Sequence, residues 1–174
     1  MKKITLILFA VLSVSLSYGQ DSTNFSVVDN GLVWQKVYNT TLTFKQLAEQ
    51  VKLSGVFESD KLTIVENSLY GELKRMKMDY KGAGYTKTGA PAFILSNEYS
   101  GFAAIDFKDN RYRVTFKKIL MSGQINGNNY EKNFPIESQF VREGMIRSYL
   151  NKGAIKVLNY NFTKAFDFKE AAKW

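Results

Sequence analysis

The chemistry left to this sequence is that of carboxylates, Tyr, Lys or a Ser-Lys pair, and of cations bound by oxygen ligands, because the chain contains no histidine and no cysteine. That composition excludes Ser-His-Asp and Cys-His catalysis, imidazole general bases and nearly every zinc or copper site. The acidic residues in the strand-rich part of the sequence are Glu66, Glu72, Asp79, Glu98 and Asp106. Two of them facing each other across a cleft would suit glycoside hydrolysis. Their spacing aligns no such pair, so surface carboxylates are the simpler interpretation and no catalytic residue is predicted.

Basic residues form a second group, suited to binding. The candidate binding surface, a weak one, consists of Arg111, Arg113, Lys117 and Lys118. Lys74, Arg75 and Lys77 lie in an earlier predicted strand. Such a patch could contact an anionic polymer, a lipid headgroup or an acidic partner. Outward charges on strands also block edge-to-edge aggregation, so a merely solvated face is the commoner explanation.

Three short segments resemble ligand-binding motifs only in part. Residues 100–107 match six of the eight positions of an RNA-recognition strand, but Ser100 lacks the basic head and Ala104 replaces a stacking aromatic. The glycines of 81–85 lack phosphate-loop spacing, and 126–129 are too neutral for a calcium loop. The sequence therefore predicts no nucleic-acid partner, no cofactor and no metal.

The element that must position these residues is a hairpin over 102–121. Apolar residues alternate on both sides of the turn at 108–111, which predicts that Phe107 pairs with Tyr112. The same register places Asp106 opposite Arg113 on the other face. A slip of one residue would turn every apolar side chain outward, so one side of the hairpin must be covered.

The remaining elements follow from pattern and capping signals. A strand is predicted over 32–38, and a helix over 43–55 with a Thr43–Gln46 capping box and a Gly55 C-cap. Further strands are predicted over 61–65, 69–80 and 92–95, with a bulge near Lys74-Arg75 where the apolar phase slips. Residues 122–133 read as turns. The spacing predicts one or two helices over 137–149 and 155–166.

The first residues have the pattern of a secretory signal peptide, with Lys2 and Lys3 before an apolar run. Cleavage is predicted between Gly19 and Gln20, leaving about 155 residues, enough for one core. No later stretch could span a bilayer, so we expect an exported, periplasmic or extracellular, soluble protein held together without disulfides. The predicted divisions are 1–19 signal peptide, 20–31 loose lead-in, 32–121 α+β domain and 122–174 helical extension packed on the same core.

Several of these segments resemble an uncharacterised family. They are the WQKVY of 34–38, the capped helix, the GEL of 71–73 and the FKDNRYRV of 107–114. They are similar to exported bacterial proteins, a domain of unknown function, whose fold resembles TATA-box-binding protein (TBP). The resemblance implies an α+β fold in which a curved antiparallel sheet packs on helices, in β-α-β-β-β-β-α order. It implies no activity and no functional residue.

The function best supported by the sequence is a non-catalytic binding or envelope-accessory protein. Its partner could be a protein, a glycan or a lipid, and the sequence gives no oligomeric state. A carboxylate-dependent hydrolase of envelope or extracellular polysaccharide is one alternative, which a cleft with two carboxyl groups about 5–9 Å apart would favour. A carrier of a small apolar ligand is the other, which a closed apolar cavity of about 300 Å³ or more would favour.

Overall fold

A computed structural model describes residues 24–125, 128–151 and 153–169 of the protein. The predicted signal peptide over 1–19 lies outside these residues. The strands are β1 (Phe25–Val28), β2 (Gly31–Asn39), β3 (Thr63–Val65), β4 (Ser68–Lys77), β5 (Asn97–Lys108), β6 (Arg111–Ile125), β7 (Asn128–Pro135), β8 (Val141–Arg142) and β9 (Met145–Ile146). The helices are α1 (Phe44–Ser54), α2 (Ala92–Ser96), α3 (Glu137–Phe140), α4 (Ser148–Asn151) and α5 (Ala154–Ala165), with a 3-10 turn at Ser59–Lys61.

Seven strands form one antiparallel sheet: six follow the order β1-β2-β6-β5-β4-β3, and β7 pairs with β6. The first half of β6 pairs with β2, and its second half pairs with β7 along the same edge. The long β5–β6 hairpin is therefore the centre of the sheet. The predicted α+β class with a large antiparallel sheet is confirmed.

The predicted register of the central hairpin is also confirmed. Phe107 pairs with Tyr112, Ile105 with Val114 and Ala103 with Phe116. The two-residue turn consists of Asp109 and Asn110, with φ of 51° and 55°. Positive φ at both positions is typical of a type I′ turn, whose twist matches that of the flanking strands.

Helices α1 and α5 cover the inner face of this sheet. The predicted capping box of α1 is present, since the Thr43 hydroxyl accepts from the Gln46 N–H and the Gln46 side chain accepts from the Thr43 N–H. Gly55 ends the helix in the left-handed conformation. The predicted C-terminal helix is confirmed as α5.

The core between α5 and the sheet is aromatic. Phe116 lies edge-on to Phe162 at 4.9 Å between ring centroids and to Phe166 at 5.8 Å. Trp34 stacks on Phe166 at 5.6 Å. All four rings have no exposed surface, so they exclude water from the inner face of the sheet.

Two buried tyrosines attach the end of α5 to the same face. Tyr38 and Tyr112 stack at 4.9 Å, and the Tyr38 hydroxyl donates to the Thr163 carbonyl. The Tyr112 hydroxyl donates to the Phe166 carbonyl at 2.8 Å and accepts from the Phe168 N–H at 3.0 Å. Burial raises the pKa of Tyr112 to about 12, although the hydrogen bond from Phe168 lowers it in part.

Four sequence predictions are wrong. The lead-in is not loose over its described part, because β1 pairs with β2 and buries Phe25. Residues 92–95 form helix α2 instead of a strand. Part of 122–133 continues the sheet as β6 and β7, so the predicted boundary after residue 121 falls inside β6. Over 137–149 a one-turn helix and the β8–β9 hairpin replace the predicted helix. The observed element order is therefore β-β-α-β-β-α-β-β-β-α-β-β-α-α in place of the predicted β-α-β-β-β-β-α.

Two β-bulges bend the sheet at one level. On β4 the register shifts between Leu73 and Met76, which confirms the bulge predicted at Lys74-Arg75. On β6 it shifts around Lys118, whose φ is 52°. The central strand β5 lies between them, and both bulges flank its Ser100-Gly101 step. Because a bulge bends and twists its strand, paired bulges produce a local curve across β4, β5 and β6.

Candidate functional site

The open face of the sheet is the side opposite α1 and α5. On β5 its residues are Glu98, Ser100, Phe102, Ala104 and Asp106, and none of them is buried. The residues between them are buried against the helices. The open face is thus the solvent side of the central strands.

Apolar side chains occupy the middle of the open face. Phe102 and Ala104 are half-buried on β5, and Tyr70 lies opposite Ala104 on β4. Val37 on β2 is 53% exposed and faces the same side. A strand surface of this composition offers area that a partner can cover.

Polar residues beside this apolar surface are paired with each other. Asp106 accepts from Arg113 Nη2 and from the Ser68 hydroxyl, each at 3.0 Å, so the predicted Asp106–Arg113 pair is confirmed. Lys61 pairs with Glu72 at 2.6 Å, and these hydrogen-bonded charges raise the pKa of Lys61 above its usual value. The net charge of this part of the face is therefore close to balanced.

Cations without a carboxylate partner gather at the bend. Lys74 and Arg75 lie in the β4 bulge, while Lys117 and Lys118 lie in or beside the β6 bulge. None of the four forms an ion pair with a described residue. We call these four residues the basic band.

Arg75 links two strands that are not neighbours in the sheet. Its Nη2 donates to the Asn133 side-chain carbonyl at 3.1 Å. Arg75 is on β4 and Asn133 on β7, with β5 and β6 between them in the sheet. Both residues are exposed, so the bond lies at the surface of the bend.

The structure therefore divides the candidate residues. It places Lys117 and Lys118 in the basic band, together with Lys74 and Arg75, which sequence reasoning had put in the same half of the sheet. Arg113 is held by Asp106, and Arg111 lies at the hairpin end opposite Lys108 and Asn39. Sequence reasoning missed Phe102 and Tyr70, although their place in the outward phase of β5 and β4 was a usable signal.

Four of the five carboxylates considered for hydrolysis, all except Glu66, have separate partners. Asp79 accepts from the Gly82 N–H at 2.8 Å and lies 3.9 Å from Lys164 Nζ. Glu98 lies 3.8 Å from Lys77 Nζ, and Glu72 and Asp106 are paired as described above. Among the described residues, no group of three His, Cys, Asp or Glu is placed to hold a metal ion. Hydrolase activity stays a hypothesis from sequence.

A groove of about 600 Å³ lies on the helix side of the β4 bulge. The apolar groups that line it include Val56, Met76 and Phe168, with Lys74 and Lys164 among its charged ones. This groove opens to solvent, unlike the closed apolar cavity that an apolar carrier would be expected to have. Across the described ranges, each helix is too short or too polar to cross a bilayer.

Comparisons with known proteins find similarity of structure but not of sequence. No protein-family model and no curated protein matches this chain. The crystal structure of a TBP-like protein from Parabacteroides distasonis is similar, with a TM-score of 0.53 and 12% identity over 80% of this chain and 93% of that chain. A DUF4468 family protein from Bacteroides ovatus aligns with a TM-score of 0.46 and 10% identity, over 88% and 99% of the two chains.

The first of these similarities confirms the fold that the sequence resemblance implied. At 12% identity it concerns the fold alone, a curved antiparallel sheet with helices on one side. Function must be argued from the surface of this chain, because unrelated activities occur on one fold.

Proposed function

We propose that this protein is an exported, non-catalytic binding protein that docks a partner protein on the open face of its sheet. The observation that carries the proposal is the row of half-buried apolar residues on the central strands, Phe102, Ala104 and Tyr70, on the side of the sheet opposite the described helices α1 and α5. Protein interfaces combine such an apolar centre with a polar rim. Export rests on the signal-peptide pattern of the first nineteen residues.

The charges of the open face favour a protein over a membrane or a long anionic polymer. Arg113 and Lys61 are matched by carboxylates on the same face. A surface adapted to lipid headgroups or polyanions would leave such cations unpaired along its length. The unpaired Lys117 lies beside Phe102 on this face, so the partner should present apolar side chains to Phe102 and an acidic side chain to Lys117.

The test is a comparison of two charge insertions. Phe102→Glu places a carboxylate in the centre of the open face, and Leu53→Glu places one at a position of α1 that is 79% exposed. A partner would be isolated from the envelope fraction with wild-type protein, and its affinity then measured for each variant. We expect Phe102→Glu to weaken binding by about thirtyfold, as for a central interface residue of about 2 kcal/mol, and Leu53→Glu to leave it unchanged.

Three results would contradict this proposal. One is equal binding of the partner by both variants, which would place the interface elsewhere. Another is hydrolysis of an envelope glycan by the purified protein that is lost in Asp106→Asn or in Glu72→Gln. Binding of wild-type protein to glycan or to lipid vesicles, with no protein partner, would likewise replace the partner class proposed.

A further inference from the structure

Arg147 lies outside the open face and has a buried side-chain donor without a hydrogen-bond partner in the described part of the chain. Its Nε is buried, and no described residue supplies a hydrogen-bond acceptor to it. A guanidinium has five N–H donors, and a buried donor without an acceptor is destabilising, so native proteins provide one in nearly every case. The Arg147 guanidinium also forms no ion pair with a described carboxylate.

The backbone fixes Arg147 in place. Its N–H donates to the Phe140 carbonyl at 2.9 Å, and its carbonyl accepts from the Leu150 N–H at 3.0 Å. Phe140 and Leu150 are both buried in the core. Directly before Arg147, β8 and β9 form a tight hairpin through Glu143 and Gly144, which have φ of 53° and 73°. The backbone that carries the Arg147 guanidinium is therefore anchored to the core.

A cleft of about 400 Å³ opens beside this guanidinium. The residues that give it its chemistry are Arg142, Glu143, Met145, Arg147, Ser148 and Tyr149. Arg142 Nε lies 3.3 Å from a Glu143 oxygen, in a pair that is about three-quarters exposed and therefore easily exchanged. Met145 and Tyr149 are 65% and 67% exposed, which leaves an apolar edge beside the cations.

We infer that this cleft binds the oxyanion of a small ligand, a carboxylate or a phosphate, through Arg147. The guanidinium fork is complementary to both groups and forms short, charge-assisted hydrogen bonds with them. Arg142 adds a second positive charge, and the Ser148 hydroxyl adds a neutral donor. The exposed Tyr149 ring supplies a flat surface for a sugar or another apolar body that carries the anion. This site is separate from the open face and does not depend on the function proposed for it.

The test follows the Arg147 Nε–H signal by ¹⁵N NMR of the purified protein. Three probes are titrated at low ionic strength: glucuronate, inorganic phosphate and uncharged glucose. We expect a saturable shift of this signal with glucuronate, with phosphate or with both, and none with glucose. A preference for glucuronate assigns a sugar carboxylate, and a preference for phosphate assigns a phosphate group.

Variants then identify the residue responsible. Arg147→Met should weaken binding about tenfold or more, and Arg147→Lys should recover only part of it, because an ammonium lacks the fork. Lys45→Met, which removes an exposed cation from α1, is the matched control and should bind as wild type. Thermal unfolding confirms that each variant is folded.

Three outcomes would overturn this inference. They are no saturable shift with either anion, an equal shift with glucose, or unchanged affinity in a folded Arg147→Met. If Arg147→Met fails to fold, unchanged affinity in Arg147→Lys together with Tyr149→Ala has the same consequence.

Discussion

The two faces of the central hairpin have the same backbone and opposite chemistry. On the inner face, Phe116 has no exposed surface and contacts two rings of the α5 segment. On the open face, Phe102 of the neighbouring strand is half-buried and lies between Lys117 and Glu72. The inner face excludes water by packing, whereas the open face carries charged side chains in solvent, some paired as in Asp106–Arg113 and some unpaired as in Lys117. Stability should therefore reside on one face and recognition on the other.

The largest test of this comparison is Phe116→Ala against Phe102→Ala. Removal of the Phe116 ring should destabilise the fold by about 3–5 kcal/mol, because transfer energy is lost and a cavity forms among Trp34, Phe162 and Phe166. Phe102→Ala should cost less, about 1–2 kcal/mol, because that ring is only partly buried and its loss leaves no enclosed cavity. Urea unfolding, monitored by tryptophan fluorescence, measures both.

Similar costs for the two substitutions would refute the division between faces. A large effect of Phe102→Ala would show that the open face is covered in solution. In that case the midpoint of unfolding should also depend on protein concentration, since a second copy of the chain would be the cover.

The register of the hairpin could be predicted because its information is local. Alternation, the Asp109-Asn110 turn and the Asp106–Arg113 pair all specify one pairing, and each lies within twenty residues of sequence. The capped helix α1 was predictable for the same reason. Local signals agree there with the global fold.

Other elements depend on contacts between residues far apart in the sequence, and the local patterns predicted the wrong secondary structure for them. The run over 92–95 has the composition of a strand, but Pro91 precedes it and Ile94 is buried in helix α2; a short apolar run does not distinguish the two states. Strand β7 was missed because its Asn-rich sequence reads as a turn, while its partner β6 supplies the pairing. Near 137–149, Glu143 and Gly144 adopt positive φ and make a hairpin instead of continuing a helix.

The site was only partly predictable because it depends on two bulges. The β4 bulge was visible in the apolar phase slip of that strand. The β6 bulge has the same signal, since Phe116 and Ile119 face the core although they differ by three positions. Its significance lies in the alignment of both bulges on Ser100-Gly101, which places the basic band at one level of the sheet, and that alignment is a property of the assembled sheet.

A smaller test compares two tyrosines on opposite faces. Tyr112→Phe leaves the Phe168 N–H and the Phe166 carbonyl without their buried partner and should cost about 1–3 kcal/mol. Tyr70→Phe on the open face should change stability by less than about 0.5 kcal/mol, because that hydroxyl bonds no described residue. Chemical denaturation at pH 7 measures the difference.

The contribution of Tyr112 to the free energy of unfolding should decrease at high pH. Burial raises the pKa of Tyr112 in the folded state to about 12, above the ordinary value of about 10, so ionisation occurs first in the unfolded chain. Its contribution is complete below pH 10 and is lost as the pH rises from 10 to about 12. Tyr112→Phe should therefore lose less stability over that interval than wild type. Parallel curves for the two proteins would contradict the inner-face role of Tyr112.

The smallest expected effect concerns the Asp106–Arg113 pair on the open face. The Arg113 and Asp106 side chains are 52% and 37% exposed, so solvent screens their attraction. A double-mutant cycle of Asp106→Ala and Arg113→Ala should give a coupling of about 0.2–1 kcal/mol that decreases in 1 M salt. The uncharged pair Gln35–Thr115, which bonds at 3.0 Å on the same face, is the control whose coupling should not respond to salt. A salt-resistant Asp106–Arg113 coupling above about 2 kcal/mol would mean that the pair is desolvated, and the open face would then be an inner one.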